Sequence, residues 1–384
     1  MRIHDPEVRE DGETREIAAR IDDFRLWYRV SKSQPLAPAG DAFVAAALLP
    51  AMAEGRELVV DPALTVSPRL LRNLRTFQEI HNTWNPALRI VPLKAVERPS
   101  ATLIDKSVSF FSGGVDSLFT FLKKRAEIDH VVYIQSFDFP VDEASFGTAL
   151  ARNAAFVAAH GKTVIPVATN SNDFGYHHNL SMLLTQGGVL ASVAHLLGFR
   201  RAFVSAAYAF HELVPSGSHP LTDPLWSSEA VEIVHEGAEM RRVDKVVRLA
   251  KDPAALACLQ VCARSVDHNC GECHKCLRTM VSLAIIGAGS PAFPTPPPLS
   301  RIRRMRVPSH IEVDFIRENY DLAVETKNRA MMKALGTCLR RYERARLVVE
   351  ADRVLLGGLV KRTYRKLVKT SPEIHRISMT PPKD

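Results

Sequence analysis

The sequence of 384 residues lacks any apolar run that reaches the length of about 18 residues needed for a transmembrane helix. It also lacks an apolar signal segment, because it begins Met1-Arg2-Ile3-His4-Asp5-Pro6. We therefore expect no contact with membranes and a reducing, cytoplasmic location. With 46% hydrophobic and 24% charged residues, the composition predicts a soluble globular protein, and the length allows more than one domain.

A glycine-containing segment joins a predicted strand to a predicted helix. Residues 107–111 are largely apolar, the segment Ser-Gly-Gly-Val-Asp-Ser occupies residues 112–117, and a helix-forming run follows over 118–125. Glycine permits a close approach of the backbone to a ligand, and the first N–H groups of a helix attract anions. No lysine follows the second glycine, which excludes the common nucleotide-binding P-loop. The segment predicts an oxyanion site, and a plain turn capped by serine and aspartate is the alternative.

A second motif consists of four cysteines within fifteen residues: Cys262, Cys270, Cys273 and Cys276. Four thiolates at this spacing can complete a tetrahedral zinc shell, and Gly271 favours the turn between neighbouring ligands. Disulfides and an iron–sulfur cluster are the alternatives. We expect structural zinc, with His268 and His274 as bystanders. Cys258 and Cys338 lie outside the motif and are expected to be buried without a redox role.

The hexapeptide at 112–117 resembles the Ser-Gly-Gly-x-Asp-Ser loop of the PP-loop ATP pyrophosphatases. With the cysteine motif it looks like the 7-cyano-7-deazaguanine synthases of queuosine biosynthesis. The run Cys-Gly-Glu-Cys-His-Lys-Cys-Leu-Arg-Thr at 270–279 is similar to that family's Cys-Gly-x-Cys-x-x-Cys-x-x-Arg. The resemblance covers residues 105–288.

The resemblance implies an adenine nucleotide alpha hydrolase-like fold and an ATP-dependent ligase that forms AMP and pyrophosphate. Such an enzyme adenylates a small carboxylate or amide for attack by ammonia or another amine, with ATP, Mg²⁺ and Zn²⁺ bound. The implied phosphate-binding residues are Ser112, Gly113, Gly114, Val115, Asp116 and Ser117. Among these, Ser112 and Asp116 would also act in catalysis. Lys245 is the candidate cation beside the leaving phosphates.

The sequence departs from the family at two places. After the second strand the family has Tyr-Gly-Gln, whereas this chain reads Gln-Ser-Phe-Asp-Phe-Pro at 135–140. Before the cysteines the family has Tyr-Pro-Asp-Cys-Arg, and the nearest segment here is Ser-His-Pro-Leu-Thr-Asp-Pro at 218–224. The resemblance therefore leaves the acceptor substrate open.

Residues 105–288 alternate between strand and helix patterns, which predicts an α/β fold with a parallel sheet covered by helices on both faces. The predicted strands are 107–111, 130–137, 162–168, 201–206 and 231–235, and the predicted helices are 115–125, 142–159 and 179–197. Ligands bind at the carboxyl ends of such strands. Residues 135–139 and 169–173 are therefore candidates for contacts with adenine and ribose. His177-His178 is a weaker candidate for an acid–base group or a second metal site, and His211-Glu212 follows the fourth strand on the same side.

Three further regions flank this domain. Residues 1–100 predict a small α/β region, residues 291–299 a proline-rich linker, and residues 300–384 a basic helical tail. Residues 301–384 contain 20 Lys/Arg against 10 Asp/Glu. We expect these helices to pack on the protein or on a second copy in a homodimer, and binding of nucleic acid is the alternative.

The alternative function that follows is a PP-loop enzyme that modifies RNA, with a zinc module and a basic RNA-binding tail. Sulfur transfer by such an enzyme needs a reactive cysteine near the ends of the strands. Neither Cys258 nor Cys338 lies at such an end, which weighs against thiolation.

Overall fold

A computed structural model describes residues 1–38, 40–137, 140–305, 307 and 310–357. Within these residues the chain divides into two compact units, 1–240 and 241–357. This division differs from the predicted boundaries at residues 100 and 288. The basic segment that begins at Lys361 and two residues of the 135–139 candidate, Asp138 and Phe139, lie outside the described residues. No helix in the described ranges is both long and apolar enough to cross a bilayer.

The first unit is built on a ten-stranded sheet with the strand order β12-β11-β8-β9-β10-β3-β2-β1-β4-β6, and β5 pairs separately with β7. The strands are β1 Arg2–Asp11, β2 Thr14–Ile21, β3 Phe24–Ser31, β4 Leu58–Val60, β5 Thr65–Val66, β6 Leu93–Lys94, β7 Val96–Glu97, β8 Ile104–Phe110, β9 His130–Ile134, β10 Thr163–Thr169, β11 Phe199–Ser205 and β12 Glu232–Glu236. Six of the nine neighbouring pairs in the large sheet are parallel. The predicted α/β class with a mostly parallel sheet is confirmed.

Helices connect these strands. They are α1 Gly40–Glu54, α2 Pro68–Trp84, α3 Val115–Lys124, α4 Glu143–Ala158, α5 Ser171–His177 and α6 Met182–Leu197, and short 3₁₀ turns cover Phe210–Glu212 and Asp223–Trp226. Ser67-Pro68 is a sequence pattern typical of a helix start, and α2 begins there: the Ser67 hydroxyl accepts a hydrogen bond of 3.0 Å from the Leu70 N–H. A serine cap followed by proline therefore fixed this boundary from local sequence.

The parallel half of the sheet has a reversal in its strand order. Along the chain β8, β9 and β10 add successively to one side, and the chain then crosses to place β11 and β12 on the other side of β8. Val108 in β8 is aligned with His130 in β9 and with Ala202 in β11. Ligands of open α/β sheets bind where such a reversal occurs, at the carboxyl ends of the strands. The segment after β8 occupies this position.

The N-terminal region belongs to the same unit because it continues the sheet. β3 pairs antiparallel with β10, with Tyr28 opposite Thr169. The Thr169 hydroxyl donates to the Trp27 carbonyl at 2.8 Å, and the Asn170 side chain accepts from the Trp27 N–H at 2.9 Å. One hydrophobic core contains residues from both sides of this junction, including Leu26 and Val167. An independent region over 1–100 is therefore not observed.

β1 and β2 are strands that the sequence did not predict. Their surface is rich in charge, so the apolar alternation that marks a half-buried strand is weak. Cross-strand ion pairs occupy this surface: Arg25 contacts both Glu7 and Glu16 at 2.6 Å, and Arg29 contacts Glu16 at 2.8 Å. These strands are defined by their pairing with partner strands. A local sequence pattern contains no information about that pairing.

The second unit is helical around the cysteine segment. Its helices are α7 Arg242–Leu249, α8 Pro253–Cys258, α9 His274–Ile285, α10 Leu299–Arg303, α11 His310–Glu325 and α12 Arg329–Leu356. Val281 from α9, Ile316 from α11 and Leu335 from α12 lie in one buried cluster. The buried Glu318 carboxylate accepts from the Val243 N–H at 3.1 Å. In the described residues, the helices of the predicted basic tail thus form part of a core.

Two helical glycines provide a matched test of close packing. A Cβ at Gly187 in α6 would lie 2.0 Å from the Gly217 carbonyl oxygen, whereas a Cβ at Gly147 in α4 would meet no atom within 4 Å. We expect Gly187→Ala to lower the free energy of unfolding by about 1–3 kcal/mol or more, because backbone must move. Gly147→Ala should raise it by up to about 1 kcal/mol through helix propensity. Denaturant unfolding followed by circular dichroism measures both, and equal effects would contradict the packing at Gly187.

Candidate functional site

The loop at 112–117 follows β8 directly and leads into α3. Gly113 has a φ of +76°, in the left-handed region that favours glycine. Gly114 is the N-cap of α3 and has no side chain to cap the helix. The start of α3 therefore offers backbone N–H groups without a capping side chain in front of them, as an oxyanion site requires. Only one of the two glycines adopts positive φ.

Two serines hold the shape of this loop. The buried Ser117 hydroxyl accepts from the Ser112 N–H at 3.2 Å and donates to the Gly114 carbonyl at 3.1 Å. The Ser112 hydroxyl accepts from the Gly114 N–H at 3.3 Å and lies 3.3 Å from the Ser117 hydroxyl. Ser112 itself is exposed and Asp116 is half-buried. The serines thus define the curvature of the loop, and the Ser112 side chain is also accessible to a ligand.

The loops after β9 and β10 contact each other. The Asn172 amide at the start of α5 donates to the Ser136 carbonyl at 2.5 Å and also to the Phe137 carbonyl. Ser136 has a φ of +57°. In the predicted 169–173 segment, the Thr169 and Asn170 side chains instead hold β3 to β10. Contacts of these loops with adenine or ribose stay a prediction.

Lys245 lies on α7 in the second unit. Its side chain is 1% exposed. The lysine therefore belongs to the interior of a helical unit and does not lie on an exposed loop after β12. Its role beside leaving phosphates stays a prediction.

The four predicted cysteine ligands come together in the second unit. The sulfur atoms of Cys262, Cys270, Cys273 and Cys276 all lie within 4.8 Å of one another, and all four are free thiols. A tetrahedral site with Zn–S bonds of about 2.3 Å needs sulfurs about 3.8 Å apart. The Cys262 and Cys273 sulfurs are already 4.0 Å apart. The group can therefore hold a zinc ion with small adjustments.

Backbone N–H groups point at these sulfurs. Cys270 accepts from the N–H groups of Glu272 at 3.4 Å and Cys273 at 3.3 Å, and Cys273 accepts from those of Ala263 and Cys276 at 3.4 Å. The hydrogen bond from the Cys276 thiol and these backbone donors lower the pKa of Cys273, whereas burial raises the pKa of Cys262 and the hydrogen bond with Cys273 raises the pKa of Cys276. A thiolate is the form that binds metal. Within the loop, Cys273 is therefore the cysteine whose thiolate the protein favours most.

Residues outside the motif hold the cysteine loop in place. The buried Asn269 side chain accepts from the Val261 N–H at 2.9 Å and donates to the Leu259 and Ala292 carbonyls at 2.8 and 3.0 Å. Gly271 has a φ of +67°, and a Cβ there would lie 2.3 Å from Pro294. The spacing of the cysteines predicted a turn at Gly271. It did not identify Asn269, because the hydrogen-bond partners of Asn269 lie up to 23 residues away in the sequence.

The remaining sulfur and imidazole groups of this unit lie outside the cluster. His268 is exposed beside Asp267, and His274 faces Glu312 at 3.6 Å. Neither histidine belongs to the group of candidate ligands found in the described ranges. Cys258 and Cys338 are buried, as expected.

The structure also shows a buried aspartate–histidine pair that the sequence did not indicate. Asp223, 1% exposed, accepts from the His235 Nδ1 at 2.7 Å and from the Ser218 hydroxyl at 2.6 Å. His235 lies near the carboxyl end of β12. Burial, followed by the neighbouring His235, lowers the pKa of His219. Residues 218–223 are thus held near the carboxyl end of β12.

The other histidine candidates have ordinary surroundings. His178 contacts Glu54 at 2.6 Å, and His177 lies 3.7 Å from Asp23. Both are at the end of α5 and not in an open loop. His211 is exposed beside Glu212.

No family model, no curated protein and no solved structure matches this chain. Its function must therefore be argued from the loop, the cysteine cluster and the sequence motifs that they contain.

The cysteine cluster gives a direct test of metal content. We expect one zinc per chain, and Cys273→Ser should lose the metal and become insoluble or sensitive to protease, because structural zinc contributes on the order of 10 kcal/mol. Cys258→Ala is the matched control, since this cysteine is buried in the same unit but lies outside the cluster. Elemental analysis and limited proteolysis measure both effects. Iron, or no metal, in the purified protein would contradict the zinc assignment.

Proposed function

We propose that this chain is an ATP-dependent, AMP-forming ligase or synthase. It would adenylate a carboxylate or amide oxygen and let ammonia or another amine displace AMP, in the manner of 7-cyano-7-deazaguanine synthase. The observation that carries the proposal is the position of the Ser-Gly-Gly-Val-Asp-Ser loop. It lies after β8, at the reversal of strand order, and opens a helix. An adenine nucleotide alpha hydrolase-like fold is part of this proposal.

The loop has the features that pyrophosphate binding needs. Gly113 in the left-handed region lets the backbone turn sharply, and the helix start supplies donors together with the positive end of the helix dipole. The Ser112 hydroxyl is exposed at the mouth of this turn. An anion bound here would receive hydrogen bonds from fixed backbone groups, so little reorganisation would be needed during reaction.

The chemistry assigns distinct tasks to the loop. The substrate oxygen attacks the α-phosphorus of ATP, the bond to the β-phosphate oxygen breaks, and pyrophosphate leaves. The N–H groups of Gly113 and Val115 and the exposed Ser112 hydroxyl would stabilise the charge that grows on the leaving pyrophosphate, and the Ser117 hydroxyl would keep the loop in shape. The half-buried Asp116 carboxylate would hold Mg²⁺, which neutralises phosphate charge when bound. The amine then bonds to the activated carbon, loses a proton and releases AMP.

Zinc has a structural task in this proposal. All four protein ligands are cysteines, which leaves no open coordination position for a substrate. The cluster connects the segment before α9 to the first turn of that helix, where Cys273 is the N-cap. Zinc binding would therefore fix the fold of the second unit.

The uneven charge of the chain favours a second candidate, an enzyme that acts on RNA. Residues 241–357 contain 21 Lys/Arg against 12 Asp/Glu, whereas residues 1–240 contain 22 against 28. A basic unit attracts nucleic acid. AMP formation that requires RNA and no small carboxylate would favour this candidate over the small-molecule ligase.

The loop chemistry is tested by Asp116→Ala. We expect turnover to fall at least about a hundredfold, because the preorganised charge stabilisation at the leaving group would be lost. Asp105→Ala is the matched control, since this exposed aspartate lies at the opposite end of β8 and pairs with Arg200 at the surface. Release of AMP and pyrophosphate, measured with a panel of carboxylates and amides plus ammonia, reports the reaction.

Zinc content and the unfolding curve of Asp116→Ala should match those of the unaltered protein. Release of ADP and orthophosphate in a substrate-dependent reaction would contradict the proposal. So would full activity of Asp116→Ala.

A further inference from the structure

The second unit contains an open cleft of about 750 Å³ beside the cysteine cluster. Its lining residues come from the cysteine loop, the start of α9 and the region of α10: Ala263, Arg264, Glu272, Cys273, His274, Leu277, Ser300, Arg301, Arg304 and Met305. Leu277 and Met305 are buried and form an apolar floor. The charged side chains lie around this floor and are largely exposed. A cleft of this size accommodates a ligand of nucleotide dimensions.

Three guanidinium groups share the cleft with a single carboxylate. Glu272 lies 3.8 Å from Arg264 and 3.7 Å from Arg301, distances longer than those of hydrogen bonds. The Arg304 guanidinium has no hydrogen bond or ion pair within the described part of the chain, and its side chain is exposed. The arginines that line the cleft therefore outnumber its carboxylate, and their donors are largely unused by the protein itself; a zinc–tetrathiolate centre beside them would add negative charge.

We propose that this cleft binds the phosphate group of a nucleotide, either free or within an RNA strand. The planar guanidinium offers paired N–H donors that match phosphate oxygens, and His274 and Ser300 add further donors. The apolar floor of Leu277 and Met305 suits the face of a base or ribose. The Glu272 carboxylate lies between two arginines at distances too long for hydrogen bonds, so an incoming phosphate can displace it.

An alternative explanation for the arginines is that they offset the negative charge of a zinc–tetrathiolate centre. Guanidinium groups with that task would donate to the sulfurs. Within the described residues, the donors to the cysteine sulfurs from this segment are backbone N–H groups, including that of Arg264 to Cys262 at 3.4 Å. The arginine side chains instead face the cleft.

The cleft is formed entirely by the second unit, whereas the 112–117 loop belongs to the first. The two proposals can therefore fail separately. Asp116→Ala removes the activity expected of the loop and should leave binding in the cleft unchanged.

The experiment uses the full-length, metal-replete protein and two probes. One is a fluorescently labelled single-stranded RNA followed by anisotropy at several salt concentrations, and the other is AMP followed by calorimetry. Any AMP bound at the 112–117 loop is common to the unaltered protein and the cleft variants, so the difference between their titrations reports binding in the cleft. Arg264→Ala and Arg304→Ala should each weaken binding about tenfold, because each removes charge-assisted hydrogen bonds to phosphate. Glu272→Gln should strengthen binding, since a competing carboxylate disappears.

Arg341→Ala is the matched control. Arg341 is an exposed arginine of α12 that does not line the cleft, and its loss changes the net charge equally. Its affinity should stay within about twofold of the unaltered protein. Zinc content verifies that Arg264→Ala, two residues from Cys262, keeps its fold.

The pattern of binding identifies the source of the phosphate. Tight, salt-sensitive RNA binding with weak AMP binding assigns an RNA strand, because each neutralised phosphate releases counterions. Comparable binding of AMP assigns a free nucleotide. The proposal is overturned if neither probe binds, if the cleft variants bind as the unaltered protein does, or if Arg341→Ala loses as much affinity as they do.

Discussion

The pairing of β8 between β9 and β11 is the constraint on which the first unit depends. Because β8 is hydrogen-bonded on both sides, the chain that leaves its carboxyl end must turn at the point where the strand order reverses. The left-handed Gly113 makes that turn possible, and α3 begins two residues later. The same geometry therefore places the N–H groups that begin α3 at the carboxyl end of β8, where open α/β sheets bind their ligands.

The second unit depends on a short loop that brings four cysteine side chains together with the backbone N–H groups that donate to their sulfurs. Four cysteines supply the ligands, backbone N–H groups favour their thiolate forms, and Asn269 ties the loop to carbonyls on both sides. Around this centre, helices α7, α9, α11 and α12 share one apolar cluster. A zinc ion held by these cysteines would add to the stability that the core provides.

The proposed ligase chemistry and the proposed cleft use phosphate recognition in two physical forms. The loop after β8 offers fixed backbone dipoles, which suit charge that grows during a reaction. The cleft offers arginine side chains, which suit a ligand held by its existing charge. The basic composition of the second unit fits the second of these forms, because net positive charge attracts phosphate.

Local patterns determined much of this protein. The sequence predicted the alternation of helices and strands over 105–240, the Ser67 cap, the loop between β8 and α3, and the cysteine group. Each of these features is encoded within a few consecutive residues. Tertiary structure decided the rest. Four features join residues that are separated in sequence: the pairing of β3 with β10, the ion pairs on β1 and β2, the Asp223–His235 pair and the arginine cleft. Contacts of that kind depend on topology and register, which no local pattern contains.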